Sequence, residues 1–195
     1  MDADGVTFAC ATTAEARVAR RAGFRTALVG LAACRGVPAG PLVSFGLAGG
    51  FDGLEVGEVI DATRVVDERG AVLWEGSGLG VEGARPGTIL SAGRIVDDPS
   101  ERRRLRELTG ADAVDMESGV LAATGRLQGC IRAISDTPDR PLGPLAAAVT
   151  PDGRSRPAKL AAALARRPAA TVRALGDVRS ALRALSSAFP GGEST

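Results

Sequence analysis

The stretch LVSFGLAGG at residues 42–50 decides the fold class of this chain of 195 residues. Residues 42–45 are apolar enough for a buried strand, and the glycine-rich run 46–50 predicts a loop at the end of that strand. Two other apolar stretches end in acidic residues, AVDMES at 113–118 and IRAISDTP at 131–138. Because open α/β sheets place their sites at the carboxyl ends of the strands, we expect the three stretches to meet.

Strands alternate with helices on both sides of this stretch. The predicted strands cover residues 6–11, 26–31, 42–45, 59–66, 71–74, 88–92, 111–116 and 130–134. Helices are predicted at 12–22, where Thr12 and Glu15 form a capping box, at 98–110, and at 117–127. The alternation indicates an α/β fold, a three-layer sandwich with a central mixed, largely parallel sheet. The connection 31–42 has room for little more than a turn.

The composition changes after residue 150. We therefore divide the chain into an α/β domain at 1–150 and a basic, amphipathic helical extension at 151–195, in which Pro168 separates two helices. Two interpretations of this extension stay open. Its apolar side packs on the sheet while its arginines lie in solvent, or its basic side meets acidic lipid head groups.

The composition excludes several classes of function. The chain contains no histidine, so Ser-His-Asp catalysis, Cys-His catalysis and histidine-ligated metals are excluded, and acid–base chemistry falls to carboxylates. Cys10, Cys34 and Cys130 are far apart, which favours three buried thiols in a reducing, cytoplasmic setting. A net charge of +1 gives no general attraction to nucleic acid. No apolar run reaches the roughly 18 residues of a membrane span.

Each of the three polar stretches has a structural and a functional interpretation. Residues 46–50 form a tight turn with positive φ, or their N–H groups face an anion or a polarised water. Glu117 stabilises the start of a helix, or its carboxylate accepts hydrogen bonds from a vicinal diol such as that of ribose. Asp136 forms an Asx-turn before Pro138, or it acts as a general acid with Arg132 four residues upstream.

Taken together, four motifs resemble the superfamily of purine nucleoside phosphorylases and 5′-methylthioadenosine/S-adenosylhomocysteine nucleosidases. They are SFGLAGG at 44–50, LEVGEVI at 54–60, VDMES at 114–118 and RAISD at 132–136. The resemblance covers roughly residues 6–141. A narrower resemblance, carried by EAR at 15–17, by residues 112–118 and by the tail 141–189, is to the hopanoid-associated phosphorylases, which remove adenine from adenosylhopane.

The superfamily resemblance implies roles for individual residues. Asp136 matches the general acid that protonates N7 of the departing purine, and Glu15 matches the carboxylate that activates water. Glu117 matches the carboxylate that holds the ribose 2′- and 3′-hydroxyl groups. The implied substrate-binding set is Glu117, Met116, Arg132, Ser135, Ile95, Val96, Gly46, Ala48 and Gly49. Since a proton donor must stay protonated near pH 7, we expect Asp136 to have a raised pKa.

The chain departs from the superfamily pattern at three positions. Ile95 stands where an aromatic residue often stacks on the base, and Leu47 and Ser44 replace a serine and an arginine that contact phosphate. These departures and the charge of Glu15 favour water as the nucleophile, whereas the narrower resemblance favours inorganic phosphate as a co-substrate. Both alternatives stay open.

The implied partner is a small-molecule nucleoside, lipid-linked if the narrower resemblance holds, and neither a metal nor an organic cofactor is implied. By resemblance, the protein is expected to be a homo-oligomer. If the lipid interpretation of the basic extension holds, this extension contacts the inner face of a membrane. The alternative functions are a methylthioadenosine/S-adenosylhomocysteine-type nucleosidase and a non-catalytic homologue that binds nucleosides.

Overall fold

The computed structural model describes residues 5–154 and 156–190. Parts of the predicted domains at 1–150 and 151–195 therefore lie outside the described residues, namely 1–4, 155 and 191–195. Eight strands of the described residues form one mixed sheet. They are β1 (Thr7–Cys10), β2 (Thr26–Leu28), β3 (Leu42–Gly50), β4 (Val59–Val66), β5 (Val72–Glu75), β6 (Arg85–Ser91), β7 (Ala113–Asp115) and β8 (Leu127–Asp136). The helices are α1 (Thr13–Arg21), α2 (Pro99–Thr109), α3 (Ser118–Ala122), α4 (Pro157–Arg166) and α5 (Pro168–Ala188).

The sheet curls into a ring on one side. Its order is β2-β1-β3-β7-β6-β4-β5, and β8 pairs with both β3 and β4, so β3, β7, β6, β4 and β8 close on themselves. Five of the strand pairs are parallel and three are antiparallel. The predicted α/β class with a mixed, largely parallel sheet is therefore confirmed. The closed ring brings the carboxyl ends of β3 and β8 side by side.

Two apolar cores on opposite faces of the sheet make the three layers. Successive residues of β1 belong to different cores. Phe8 and Cys10 pack with α1 and α5, whereas Ala9 packs in the core that includes Leu121 of α3. Such alternation follows from the two-residue period of a strand. Cys10 and Cys130 are buried as expected, but Cys34 is exposed, and its thiol donates to the carbonyl oxygen of Pro151.

The glycine-rich run 46–50 is strand and not loop, which corrects the sequence-based prediction. Residues of this run continue the parallel pairing of β3 with β8, and Gly49 also pairs with Val114 of β7. Gly46, Gly49 and Gly50 do not have positive φ. They are small for another reason: a Cβ on Gly46 would lie 2.5 Å from Oε1 of Glu15, and one on Gly50 would lie 2.9 Å from Ile134.

The helix predicted at 117–127 is much shorter, spanning only Ser118–Ala122. Gly125, with φ +68°, turns the chain, and β8 begins at Leu127, because that residue pairs with Leu42 and its carbonyl oxygen accepts the indole N–H of Trp74. The strand predicted at 26–31 also ends early, at Leu28, and a 3-10 turn follows at Leu31–Ala33. The connection 31–42 therefore contains a 3-10 turn, which agrees with the prediction of little more than a turn.

Two helix starts agree with the sequence. At α1, the hydroxyl of Thr12 accepts the N–H of Glu15, and the carboxylate of Glu15 accepts the N–H of Thr12, which completes the predicted capping box. At α2, the carboxylate of Asp98 accepts the N–H of Glu101, and Gly110 ends the helix in the left-handed conformation.

The extension forms α4 and α5, which Pro168 separates as predicted. Helix α5 packs against β8 and α1, and it buries Thr171, Ala174, Asp177, Ala181 and Leu185. The packing interpretation of its apolar side is therefore confirmed. Among the described helices, none combines the length and the apolar character needed to cross a membrane.

Candidate active site

A cavity of about 290 Å³ opens at the carboxyl ends of β1, β3, β7 and β8, beneath the helical extension. Its lining includes most of the residues that the sequence singled out: Glu15, Ala48, Gly49, Ile95, Val96, Met116, Glu117, Ser135 and Asp136. Gly46 and Arg132 are not part of the lining. The three candidate carboxylates therefore face one cavity, which is the arrangement that the sequence predicts.

Asp136 ends β8 and is 2% exposed. One of its oxygens pairs with the guanidinium of Arg102, and the other accepts the hydroxyl of Ser135 at 2.6 Å. Burial raises the pKa of Asp136, whereas Arg102 and the hydrogen bonds lower it. The side chain of Asp136 does not form the Asx-turn before Pro138: its two oxygens accept from Arg102 and Ser135, and two main-chain hydrogen bonds between Thr137 and Arg140 close the turn at 137–140.

Glu15 enters the cavity from the first turn of α1 and is 3% exposed. Besides its capping bond to Thr12, its carboxylate accepts the N–H of Leu47 at 2.8 Å. Burial raises the pKa of Glu15, and these two backbone N–H groups lower it. Its position against Gly46 explains the glycine there. Gly46 thus serves the site by leaving room for a carboxylate.

Glu117 lies immediately before α3, but it does not cap that helix. The carboxylate of Asp115 accepts the N–H and the hydroxyl of Ser118 instead. The side chain of Glu117 therefore makes no capping hydrogen bond to this helix. Its Oε1 accepts the N–H of Ala32 at 3.0 Å. Burial raises the pKa of Glu117 to about 8, helped by the charge of Asp115 and opposed by that of Arg132.

Arg132 lies behind the cavity wall and is 2% exposed. Its guanidinium donates to the carboxylate of Asp115, at 2.9 Å from Nε, and to the hydroxyl of Ser44 at 2.5 Å. Arg132, which was expected in the substrate-binding set, is thus a partner of Asp115, and it acts on Glu117 through its charge. Ser44, where the superfamily pattern has an arginine, accepts a hydrogen bond from this guanidinium.

The turn at Leu31–Ala33 reaches the site from the short connection. Ala32 and Ala33 have φ of +49° and +53°, a region that residues other than glycine seldom adopt. The turn is held by Leu31, whose N–H donates to the carbonyl oxygen of Pro151 at 2.7 Å. The turn in this short connection therefore brings a main-chain donor to Glu117.

Part of the cavity wall is apolar. Side chains from the segment after β8 and from α4 and α5 form this part: Leu142, Leu145, Val149, Leu160, Leu175, Val178 and Leu182. The cavity lining therefore combines the three candidate carboxylates with a cluster of aliphatic side chains, most of which pack together. Such a cavity suits a ligand that is polar on one side and apolar on the other.

Sequence reasoning missed three contributors, namely Arg102, Asp115 and the main-chain N–H of Ala32. Arg102 lies in an arginine-rich helix that looks like an exposed surface. Only its spacing of three residues from Leu105, which places the two on the same side of the helix, indicates burial. Asp115 is two residues from Glu117 in the VDMES motif, so that motif contained the signal. Nothing local in the sequence indicates that the Ala32 N–H points at Glu117.

Replacing Gly49 with alanine is expected to destabilise the protein by about 1–3 kcal/mol, because the new Cβ would lie 2.8 Å from Nη2 of Arg102 and 3.0 Å from the carboxylate of Asp136. Urea unfolding measures the effect. Gly176→Ala is the matched control, since no neighbouring atom lies within 4 Å of that position in α5. It should stabilise the protein by about 1 kcal/mol through helix propensity. Equal shifts for both variants would contradict this packing.

The comparisons with known proteins agree with the observed fold. The family model of the phosphorylase superfamily matches residues 75–166, just under half of the chain. Among solved structures, the 5′-methylthioadenosine/S-adenosylhomocysteine nucleosidase of Neisseria meningitidis in complex with methylthio-immucillin-A is 20% identical. Its TM-score is 0.54, with 90% of this chain and 98% of that chain covered.

A second such nucleosidase, that of Helicobacter pylori with butyl-thio-DADMe-Immucillin-A, is 14% identical, with a TM-score of 0.55 and coverage of 94% of this chain and 96% of that chain. The 5′-methylthioadenosine nucleosidase of Arabidopsis thaliana is 13% identical, with a TM-score of 0.53 and coverage of 95% and 96%. A search of curated proteins found no match. At these identities the likeness establishes the fold.

Proposed function

We propose that the protein cleaves the N-glycosidic bond of a 5′-modified adenosine and releases adenine. The observation that carries this proposal is that Glu15, Glu117 and Asp136, each buried, line one cavity. The match to the phosphorylase superfamily supports it, and so do the nucleosidases that share the fold. The alternative of a non-catalytic nucleoside-binding homologue has less support, because all three acids are present and face the same space.

The proposed roles follow from the chemistry of the bond. Cleavage passes through a sugar with oxocarbenium character, and the purine must accept a proton to leave. Asp136 donates that proton to N7. Glu117 accepts hydrogen bonds from the ribose hydroxyl groups and stabilises the positive charge on the sugar. Met116 contacts the sugar, and Ile95 and Val96 contact the base.

Water is the nucleophile that the site favours. The two arginines of the cavity lining are both paired, Arg94 with Glu68 and Glu101, and Arg102 with Asp136. A phosphate would meet the carboxylate of Glu15 without an unpaired arginine in the cavity lining to offset the repulsion. Glu15 is suited to accept a proton from water. Phosphorolysis, with inorganic phosphate as co-substrate, is the alternative that the narrower sequence resemblance supports.

The apolar part of the cavity wall supports an apolar group on the 5′ carbon. We propose adenosylhopane as the specific substrate, on the basis of the narrower resemblance and of the aliphatic side chains of α4 and α5. A methylthio group is the second candidate, since the nucleosidases with this fold are named for methylthioadenosine. That smaller substituent would leave much of the apolar wall without contact.

A lipid-linked substrate would also give the basic extension a role. Its exposed cationic residues are Arg154, Arg156, Lys159, Arg166, Arg167, Arg179 and Arg183. We propose that they contact anionic head groups at the cytoplasmic face of a membrane. The proposal of a homo-oligomer rests on the sequence resemblance.

The test is chromatographic detection of adenine after incubation with adenosine, methylthioadenosine or adenosylhopane, each with and without phosphate. We expect adenine and a free sugar, unchanged in rate when phosphate is omitted, and the highest kcat/KM for the nucleoside with the largest apolar 5′ group. Formation of a sugar 1-phosphate would show phosphorolysis. No adenine from any of the three would favour the non-catalytic homologue.

A further inference from the structure

Arg102 is held rigidly against the proposed general acid. Its side chain is 1% exposed. Nε donates to the carbonyl oxygen of Val96 at 2.8 Å, Nη1 donates to that of Gly50 at 3.0 Å, and Nη2 pairs with the carboxylate of Asp136. The three partners belong to three separate segments of the chain. The guanidinium therefore has a fixed place, and it fixes one oxygen of Asp136.

We propose that Arg102 is a positioning residue that orients Asp136 and stabilises the carboxylate formed when Asp136 gives its proton to the purine. This inference rests on the proposed function. In the step concerned, the O–H bond of Asp136 breaks and an N7–H bond forms. The electron pair of the glycosidic bond moves to the purine, and the water oxygen bonds to C1′ while one of its protons passes to Glu15.

The interaction between Arg102 and Asp136 becomes stronger as the reaction proceeds. Before the transfer, Arg102 faces a neutral carboxyl group, and afterwards it faces a carboxylate. Arg102 is charged in both states, so the gain is the Coulomb attraction between the two opposite charges, which is absent while the carboxyl group is neutral. An interaction that is stronger in the transition state than in the ground state lowers the barrier. The rigid hold on Arg102 means that no reorganisation is needed at that moment.

The groups around Asp136 set the direction of the pH dependence. Arg102 faces it from α2, Asp97 acts on it from the segment before α2, and Glu15 and Glu117 line the same cavity. Burial and Asp97 raise the pKa of Asp136, and Arg102 lowers it. Without the guanidinium, the pKa of Asp136 rises further. Since the protonated form is the active one, the alkaline limb of the rate profile then moves to higher pH.

The experiment measures kcat for adenine release against pH in Arg102→Met and Arg102→Lys. We expect Arg102→Met to lower kcat at pH 7 about 100-fold and to move the alkaline limb to higher pH. Arg102→Lys keeps the charge, so its limb should stay near the wild-type position. The matched control is Arg103→Met, whose side chain in the same helix is 65% exposed. Its profile should follow the wild type.

The possible outcomes separate the two proposals. Wild-type turnover together with an unmoved alkaline limb in Arg102→Met overturns the role of Arg102 alone. A wild-type protein that releases no adenine overturns the proposed function and this inference with it. If Arg102→Met does not fold, as judged by thermal unfolding, Arg102→Gln carries the same prediction, because it is neutral and still donates a hydrogen bond.

Discussion

Replacing Asp136 with asparagine is expected to lower kcat for adenine release about 10³-fold. Asparagine fills the same space beside Ser135 and Arg102, but it has no proton to transfer to N7. Burial raises the pKa of Asp136, so the wild-type rate should fall as pH rises through that pKa, where the acid loses its proton. The residual rate of the variant should lack this alkaline limb. Steady-state kinetics between pH 5 and 9 measure both effects.

A substrate that needs no protonation tests the assignment independently of folding. An N7-methylated nucleoside already carries a positive charge on its purine, which leaves without help from an acid. The variant should therefore cleave this substrate at a rate close to that of the wild type. Asp139→Asn, at an exposed position three residues further along the chain, is the control and should match the wild type with both substrates. An equal loss with both substrates would show that Asp136 is not the proton donor.

The sequence predicts the order of the elements well, because most boundaries depend on local signals. The capping box at Thr12 and Glu15 and the Asp98 start of α2 need only residues within one turn. Residues 46–50 lack such a signal. Their glycines look like a loop, and they form strand only because β8 and β7 pair with them and because Glu15 and Ile134 occupy the space of their missing side chains.

The candidate site could be predicted to the extent that its residues belong to recognisable motifs. Asp136 and Glu117 follow apolar strands, and the ends of such strands converge in this class of fold. Arg102 and Ala32 come from segments whose neighbours in space are set by the tertiary structure. The pairing of β8 with both β3 and β4, which closes the ring, was also beyond sequence reasoning, since it joins strands far apart in the chain.

Replacing Glu117 with glutamine is expected to lower kcat/KM about 10³-fold at pH 8.5, where the wild-type carboxyl group is ionised. A carboxylate that accepts two hydroxyl groups makes two charge-assisted hydrogen bonds of about 1.5–3 kcal/mol each, and it also stabilises the cationic sugar. The amide offers a single acceptor oxygen, which Ala32 already uses in the free protein. Steady-state kinetics measure the loss. Glu107→Gln, at an exposed position in α2, is the control and should keep wild-type kinetics.

The same variant should be more stable than the wild type at alkaline pH. The pKa of Glu117 is about 8 in the folded protein, against an ordinary value of 4.5. Between these values the folded state holds a proton that the unfolded state has released, so wild-type stability falls as pH rises through this window. Glutamine has no proton to lose, and its advantage should reach on the order of 3 kcal/mol above pH 8. Urea midpoints at pH 5 and pH 8.5 measure this difference, which Glu107→Gln should not show. Midpoints that fall in parallel for wild type and Glu117→Gln would mean that Glu117 is ionised in the free protein, and the ribose site would then be charged before substrate arrives.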